Sequence, residues 1–115
     1  MERRTSPAVR GNQNRPQHEY NLIKDLFVGM ENFVVLVRVL FVFPVKNFIN
    51  KKGVESSLLN IMVGDKSGTI ECTMFGEMVQ RFEGRFKEDQ VFELANAAVS
   101  EGNYLGSRYT KLTIN

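Results

Sequence analysis

The segment LNIMVGDKSGTIECTMFG, residues 59–76, decides how this chain is read. Leu59, Ile61 and Val63 alternate with Asn60 and Met62, and Ile70, Cys72 and Met74 alternate with Thr69, Glu71, Thr73 and Phe75. A period of two marks strands with one face in a core, because successive side chains leave a pleated backbone on opposite sides. Between the arms, Asp65-Lys66-Ser67-Gly68 suits a type I turn closed by a glycine at positive φ, with the aspartate free to accept from the amides just ahead of it. The arms therefore pair as a tight antiparallel hairpin.

Upstream, FVVLVRVLFVF (residues 33–43) is dominated by β-branched and aromatic side chains and carries one charge, Arg38. That composition is strand-forming. Both alternation sets are apolar, so the strand is covered on both sides, or curls round a barrel and shares its outer face with another body. Pro44 interrupts it, and residues 45–50 resume in extended form before the polar turn Lys51-Lys52-Gly53, as at an edge or a bend. Still earlier, Leu22, Ile23, Leu26 and Phe27 give a short apolar cluster broken by Gly29, one helical turn or an extended lead-in over the end of a sheet. Downstream, Met78 or Val79 with Phe82 and Phe86 recur at spacings of three and four, a helical face that Gly84 ends. Residues 87–90 turn the chain, VFELA (91–95) gives a fourth strand and RYTKLTI (108–114) a fifth.

Five strands with one helix between the third and fourth is the order of a five-stranded Greek-key OB-fold barrel, a mainly β architecture whose middle strands and two loops make a binding face. The loops fall near residues 48–57 and 100–107 and are expected side by side.

With 115 residues, 43% hydrophobic and 24% charged, the chain fits one small globular domain with a modest core. No apolar run approaches the roughly 20 residues of a membrane span, and the N-terminus is polar and basic, so a soluble, intracellular protein is expected. It would be nuclear in a eukaryote and cytoplasmic otherwise. Residues 1–19 are rich in Arg, Asn, Gln, Pro and Ser and too poor in apolar groups to offset the entropy of ordering, so they read as a flexible tail ahead of a domain spanning 20–115. Within it, His18 has no ligand-spaced partner and reads as solvated, and Ser6-Pro7 is a short phosphorylation signal. The net charge of +2 resides in this tail; the remainder holds eleven basic and eleven acidic residues, which argues against a purely electrostatic grip on nucleic acid. Lone Cys72 has neither a disulfide nor a metal partner and packs as a small apolar residue. No Ser-His-Asp set, acidic metal cluster or phosphate-cradling glycine loop is present, so neither an enzyme nor a cofactor or small-molecule site is expected.

Single-stranded nucleic acid is held by flat rings for the bases and cations for the phosphates. Lys46, Phe48, Lys51 and Lys52 supply one ring and three ammonium groups within seven residues, with Asn47 and Asn50 adding polar groups. A solvated loop with Phe48 turned into the core fits the same spacing. Phe75, with Thr73 and Glu71, faces out if Ile70, Cys72 and Met74 fill the barrel; packing against the following helix is the alternative. In the glycine-hinged segment 102–109, Tyr104 and Arg108 could clamp a base and a phosphate, while Tyr109 reads as structural.

Residues 37–40 (VRVL), 63–70 (VGDKSGTI), 74–76 (MFG), 92–97 (FELANA) and the glycine-containing loop before Tyr109 resemble the simple OB-fold single-stranded-DNA-binding proteins of archaea and eukaryotes. More distantly they resemble the DNA-binding domains of the replication protein A large subunit. The resemblance covers about residues 22–115 and implies single-strand binding by stacking, with the family's aromatics falling on Phe75, Phe48 and Tyr104. It implies work on DNA or RNA single strands inside a repair, replication or telomere-protection complex. Where that family turns polar after its first strand, this chain continues Phe41-Val42-Phe43-Pro44-Val45. Phe41, Phe43 and Val45 therefore mark a contact with a protein partner or a second copy, and an assembly subunit is the competing reading.

Overall fold

The computed structural model describes residues 19–114 and the backbone of residues 8–11. Among these are eight strands: β1 (Ala8–Gly11), β2 (Val34–Val42), β3 (Lys46–Ile49), β4 (Glu55–Asp65), β5 (Gly68–Phe75), β6 (Val91–Ala95), β7 (Ala98–Tyr104) and β8 (Ser107–Ile114). A single α-helix, α1 (Glu77–Phe82), lies between β5 and β6. Among the described residues no helix is long and apolar enough to cross a membrane.

The hairpin forms as its alternation demands. β4 and β5 pair in unbroken register from Leu58↔Phe75 to Asp65↔Gly68. Leu59, Ile61 and Val63 are buried opposite Met74, Cys72 and Ile70, and Val35, Val37 and Val39 of β2 join them with Phe92, Leu94, Leu112 and Ile114. The Cys72 thiol is fully buried, and that burial pushes its pKa up to about 12, so it is a packing group and not a nucleophile. α1 contributes Val79 to this core; after Gly84, at φ +80°, Phe86 continues it, its ring 5.6 Å from Phe82 and 5.2 Å from Phe92.

All the strands join one sheet, in the order β1-β6-β2-β4-β5-β8-β7, with β3 pairing β4 beyond the end of β2. The expected five-stranded closed barrel is corrected on two counts. Residues 46–49 and 98–104 are strands in their own right, and the hydrogen-bonded order is open, with β1 and β7 at its ends. The sheet is nevertheless rolled. From β6 to β7 it crosses five inter-strand gaps, about 24 Å if flat. Yet Ala95 and Ala98 end and begin these strands three residues apart, a reach of at most ~11 Å. Only a strongly curled sheet satisfies both, so chain continuity through Asn96 (φ +61°) does the work of a closing ladder.

β2 carries a bulge: Val39 pairs Val63 and Phe41 pairs Met62, leaving Leu40 as the extra residue. Gly64 makes room for it, since a Cβ there would lie 3.0 Å from Leu40 Cδ1. Past the bulge Phe41 stays on the outer face while Val42 returns to the core.

Most of residues 1–19, including Ser6, Pro7 and His18, lies outside the described residues; within that stretch Ala8–Gly11 pairs antiparallel with β6. The cluster ahead of β2 makes a 3-10 turn at Ile23–Asp25 with Ile23 buried. The hairpin turn anchors it. Asp65 accepts from the Ser67 amide (2.7 Å), the Ser67 hydroxyl (2.6 Å), the Gly68 amide (3.2 Å) and, across 42 positions of chain, the Ile23 amide (3.0 Å), while Ser67 Oγ accepts from the Lys24 amide. Partial burial pushes the Asp65 pKa up, but the hydrogen bonds from Ser67, Ile23 and Gly68 outweigh it and hold it below the usual 3.8. A depressed carboxylate stabilises the fold above its unfolded pKa, and that contribution disappears as pH falls through the lower folded value. Asp65→Ala is expected to cost about 1–3 kcal/mol in urea unfolding at pH 7, with the deficit shrinking as the pH falls below 4. An equal deficit at pH 7 and pH 3 would show that the ionised carboxylate is not what holds the turn.

Candidate nucleic-acid interface

The side chains that alternate away from the core make an ordered outer face, and the strand register arranges them in cross-strand rows. Phe41, Met62, Glu71, Lys111 and Ser100 form one row. Phe43, whose amide donates to the Asn60 carbonyl, begins the next, which continues Asn60, Thr73, Thr113 and Ala98. Lys46, Leu58 and Phe75 make a third, and Phe48 opposite Ser56 closes that end. Hydrophobic groups are concentrated on the β2–β3 side. Phe41 and Phe43 are exposed with their rings edge-to-face at 4.7 Å, and Phe75 is 41% exposed.

The polar middle of the face is tied together. Thr73 Oγ1 donates to Asn60 Oδ1 at 2.6 Å, and Ser100 and Thr113 share a hydroxyl–hydroxyl bond of 2.9 Å. The Tyr109 hydroxyl donates to Glu71 Oε1 at 3.1 Å, and Lys111 Nζ lies 3.8 Å from the same oxygen. Desolvation and the adjoining Glu71 carboxylate both raise the Tyr109 pKa. The tyrosine ring lies across Gly102, where a Cβ would come within 2.8 Å of its Cε2 and hydroxyl.

The two expected loops are short turns at opposite ends of this face, not neighbours. The register decides it: β3 runs beside residues 55–58 of β4, at the Phe75 end, whereas β8 runs parallel to β5 and, traced back from Lys111 opposite Glu71, leads towards the Gly68 end. They frame the face rather than pairing over one edge. In the first turn Asn50 Oδ1 accepts from the Lys52 and Val54 amides and Gly53 sits at φ +79°, leaving Lys51 and Lys52 exposed. The second is a two-residue turn with Leu105 at φ +52° and Gly106 at φ +86°, the signs of a type I′ hairpin, and Asn103 Oδ1 accepts from the Gly106 amide.

Lys46, Phe48 and Phe75 thus share the outer face, with Phe48 half-buried and Phe75 exposed. Lys51 and Lys52 rim one end and Tyr104, 70% exposed, the other. Arg108 pairs with Asn103, in the opposite alternation to Tyr109, and so leans away from that face. Phe41 and Phe43 lie on the face itself, whereas Val45 packs against the core. Tyr109, read from the sequence as structural, and Lys111 belong to the face. The signal for Lys111 was available in the alternation with Leu112 and Ile114, but its partner Glu71 is 40 positions away. Among the described residues no group of three potential metal ligands occurs.

Known structures share this fold. A replication protein A heterotrimer solved bound to single-stranded DNA superposes with a TM-score of 0.72 at 23% identity, over 83% of this chain and 22% of that one. The chain has an OB-fold. The second OB-fold domain of replication protein A from Methanococcus maripaludis gives a TM-score of 0.65 at 23% identity, covering 84% of this chain and 89% of that domain. The replication factor A related protein from Methanobacterium thermoautotrophicum gives 0.65 at 23%, covering 88% and 87%. No family model matches the sequence, and no curated protein does. On this OB-fold, β4 and β5 are the two middle strands, and the outer face just described is theirs.

The β7–β8 turn stores strain, because a branched side chain at positive φ is unfavourable. Leu105 is also 87% exposed, so no packing offsets it. Leu105→Gly is expected to stabilise the domain by about 0.5–1 kcal/mol, read as a higher melting temperature. A lower one would show that Leu105 is held by contacts rather than tolerated.

Proposed function

We propose that this OB domain binds single-stranded DNA along the outer face of β4 and β5, between the Lys51-Lys52 turn and the Tyr104 turn. One observation carries the reading: Phe41, Phe43, Phe48, Phe75 and Tyr109 alternate to the same side of the sheet as Lys46, with exposed Lys51 and Lys52 at its rim. Rings in a row offer stacking to successive bases, and ammonium groups beside them neutralise phosphates. Counting back along β8 from Ile114 to Ser107, seven steps of ~3.3 Å give a face some 23 Å long, suited to the small end of the usual 4–16 nucleotides per OB domain. A fold shared with a heterotrimer solved on single-stranded DNA supports the ligand class. Binding is non-enzymatic, and a role in a replication, repair or telomere-protection complex, nuclear in a eukaryote, follows from the same reading. RNA single strands fit the same chemistry.

A second reading rests on Phe41 and Phe43. Their exposed edge-to-face pair is continuous with half-buried Met62 and Leu58, an apolar end to an otherwise polar face that suits a protein partner or a second copy. Light scattering decides it: a dimer or larger species that dissociates on Phe41→Ser/Phe43→Ser favours assembly as the main task, and a strict monomer removes that reading.

The DNA reading is tested by fluorescence anisotropy with a labelled thymidine 15-mer at low salt. Binding tighter than the non-specific range, roughly 10⁻⁴–10⁻⁶ M, is expected, with Kd rising steeply as salt is added. Phe48→Ala, Phe75→Ala and Tyr104→Ala should each weaken it by about 1–3 kcal/mol. Absence of any titratable binding to DNA or RNA oligonucleotides would sink the proposal.

A further inference from the structure

A carboxylate in the middle of a surface meant for a polyanion needs a reason. Glu71 lies on that face, flanked by Met62 and Lys111 in its row, and it is held rather than free. Its side chain is only 20% exposed, Oε1 takes both the Tyr109 hydroxyl and the Lys111 ammonium, and Oε2 has no hydrogen-bond partner among the described residues. Lys111 offsets its charge, so the group repels phosphate less than an isolated carboxylate would, while its remaining lone pairs are left to accept. Diagonally across the β4–β5 ladder, Asn60 spends its carbonyl oxygen on Thr73, which leaves the amide NH₂ to donate. An acceptor and a donor at diagonal positions, about 6–8 Å apart at their Cβ atoms, bracket the hydrogen-bonding edge of one base.

We infer that Glu71, aimed by Tyr109 and Lys111 and paired with Asn60, selects bases that carry both an exocyclic amino group and a carbonyl oxygen, cytosine and guanine, above thymine. The inference rests on the proposed single-strand binding and adds a base preference to it. Carboxylates accept from the cytosine N4 amino group, and guanine presents N1–H and N2–H together. Each also offers a carbonyl oxygen to the Asn60 amide. Thymine has one N–H, set between two carbonyl oxygens that face the carboxylate unfavourably. Stacking alone would not discriminate in this way, because every base has a π-face.

The test compares the full chain's affinity for a fluorescein-labelled thymidine 15-mer with that for the same oligomer carrying alternate cytidines, by anisotropy at fixed salt. The expected result is roughly five- to tenfold tighter binding of the cytidine-containing strand. In Glu71→Gln, whose amide can also donate to thymine, the ratio should fall to about one or invert, chiefly through tighter binding of the thymidine strand. Tyr109→Phe keeps the ring, removes the hydroxyl that aims Glu71, and should lower the ratio in the same direction; it also serves if the first variant fails to fold by circular dichroism. Equal affinities in the wild-type protein, or an unchanged ratio in a folded variant that still binds, would overturn the preference and leave the single-strand reading standing. Failure of the wild-type protein to bind either strand would overturn both.

Discussion

The register of the β4–β5 ladder is the constraint on which the rest depends. A strand's side chains alternate with a period of two, so a slip of one residue would exchange the core set for the face set all at once. Leu59, Ile61, Val63, Ile70, Cys72 and Met74 would then meet water, and Asn60, Glu71 and Thr73 would be forced into an apolar interior. The turn fixes this choice. Asp65 gathers the Ser67 and Gly68 amides and the Ser67 hydroxyl about one oxygen, which sets the hairpin's length, and gives its other oxygen to the Ile23 amide, which docks the lead-in segment against the turn. One carboxylate therefore couples the local pairing of two strands to a contact between distant parts of the chain.

From that register the outer face follows without further assumptions. β2 aligns its Phe41 with Met62 only because Leu40 is squeezed out as a bulge over Gly64. Without the bulge, Phe41 would alternate inward with Val39 and the aromatic pair would be lost to the core. β8 aligns Lys111 with Glu71 because Leu112 and Ile114 are drawn inward beside Cys72 and Met74. Core burial on one side thus positions the polar and aromatic groups on the other, and the face is as rigid as the packing beneath it.

Much of this was legible in the sequence. The hairpin, its turn, the inward set and the mainly β character of the fold all rest on short-range signals: alternation, β-branched runs, a glycine after an Asp-x-Ser. Phe75 facing out follows from Ile70, Cys72 and Met74 facing in. What the sequence hid was of a different physical kind. Residues 98–104 lack a continuous apolar alternation, since Ser100, Glu101, Gly102 and Asn103 interrupt it; they form a strand because β8 supplies partners and because Tyr109 covers Gly102. Residues 46–49 read as extended chain running into a loop rather than as a paired strand, since their ladder partners, Leu58 and its neighbours on β4, lie beyond the turn. The placing of the two turns at opposite ends of the face depends on a parallel pairing between β5 and β8, which no local pattern announces.

The rolled sheet has a further consequence for how such a face can work. Because β6 runs into β7 through two residues instead of pairing with it, the sheet's curvature is fixed by backbone reach rather than by a closed set of hydrogen bonds. β7 and the outer half of β8 are then held by one ladder alone, with Tyr104 and Leu105 at their tip, whereas β4 and β5 are paired on both sides. Local opening follows the density of such contacts, so the Tyr104 end of the face is the part able to adjust to a ligand, while the Phe75 and Asn60 end, resting on the buried core, keeps its geometry. The face therefore combines a rigid centre, paired on both sides, with a softer arm at one edge.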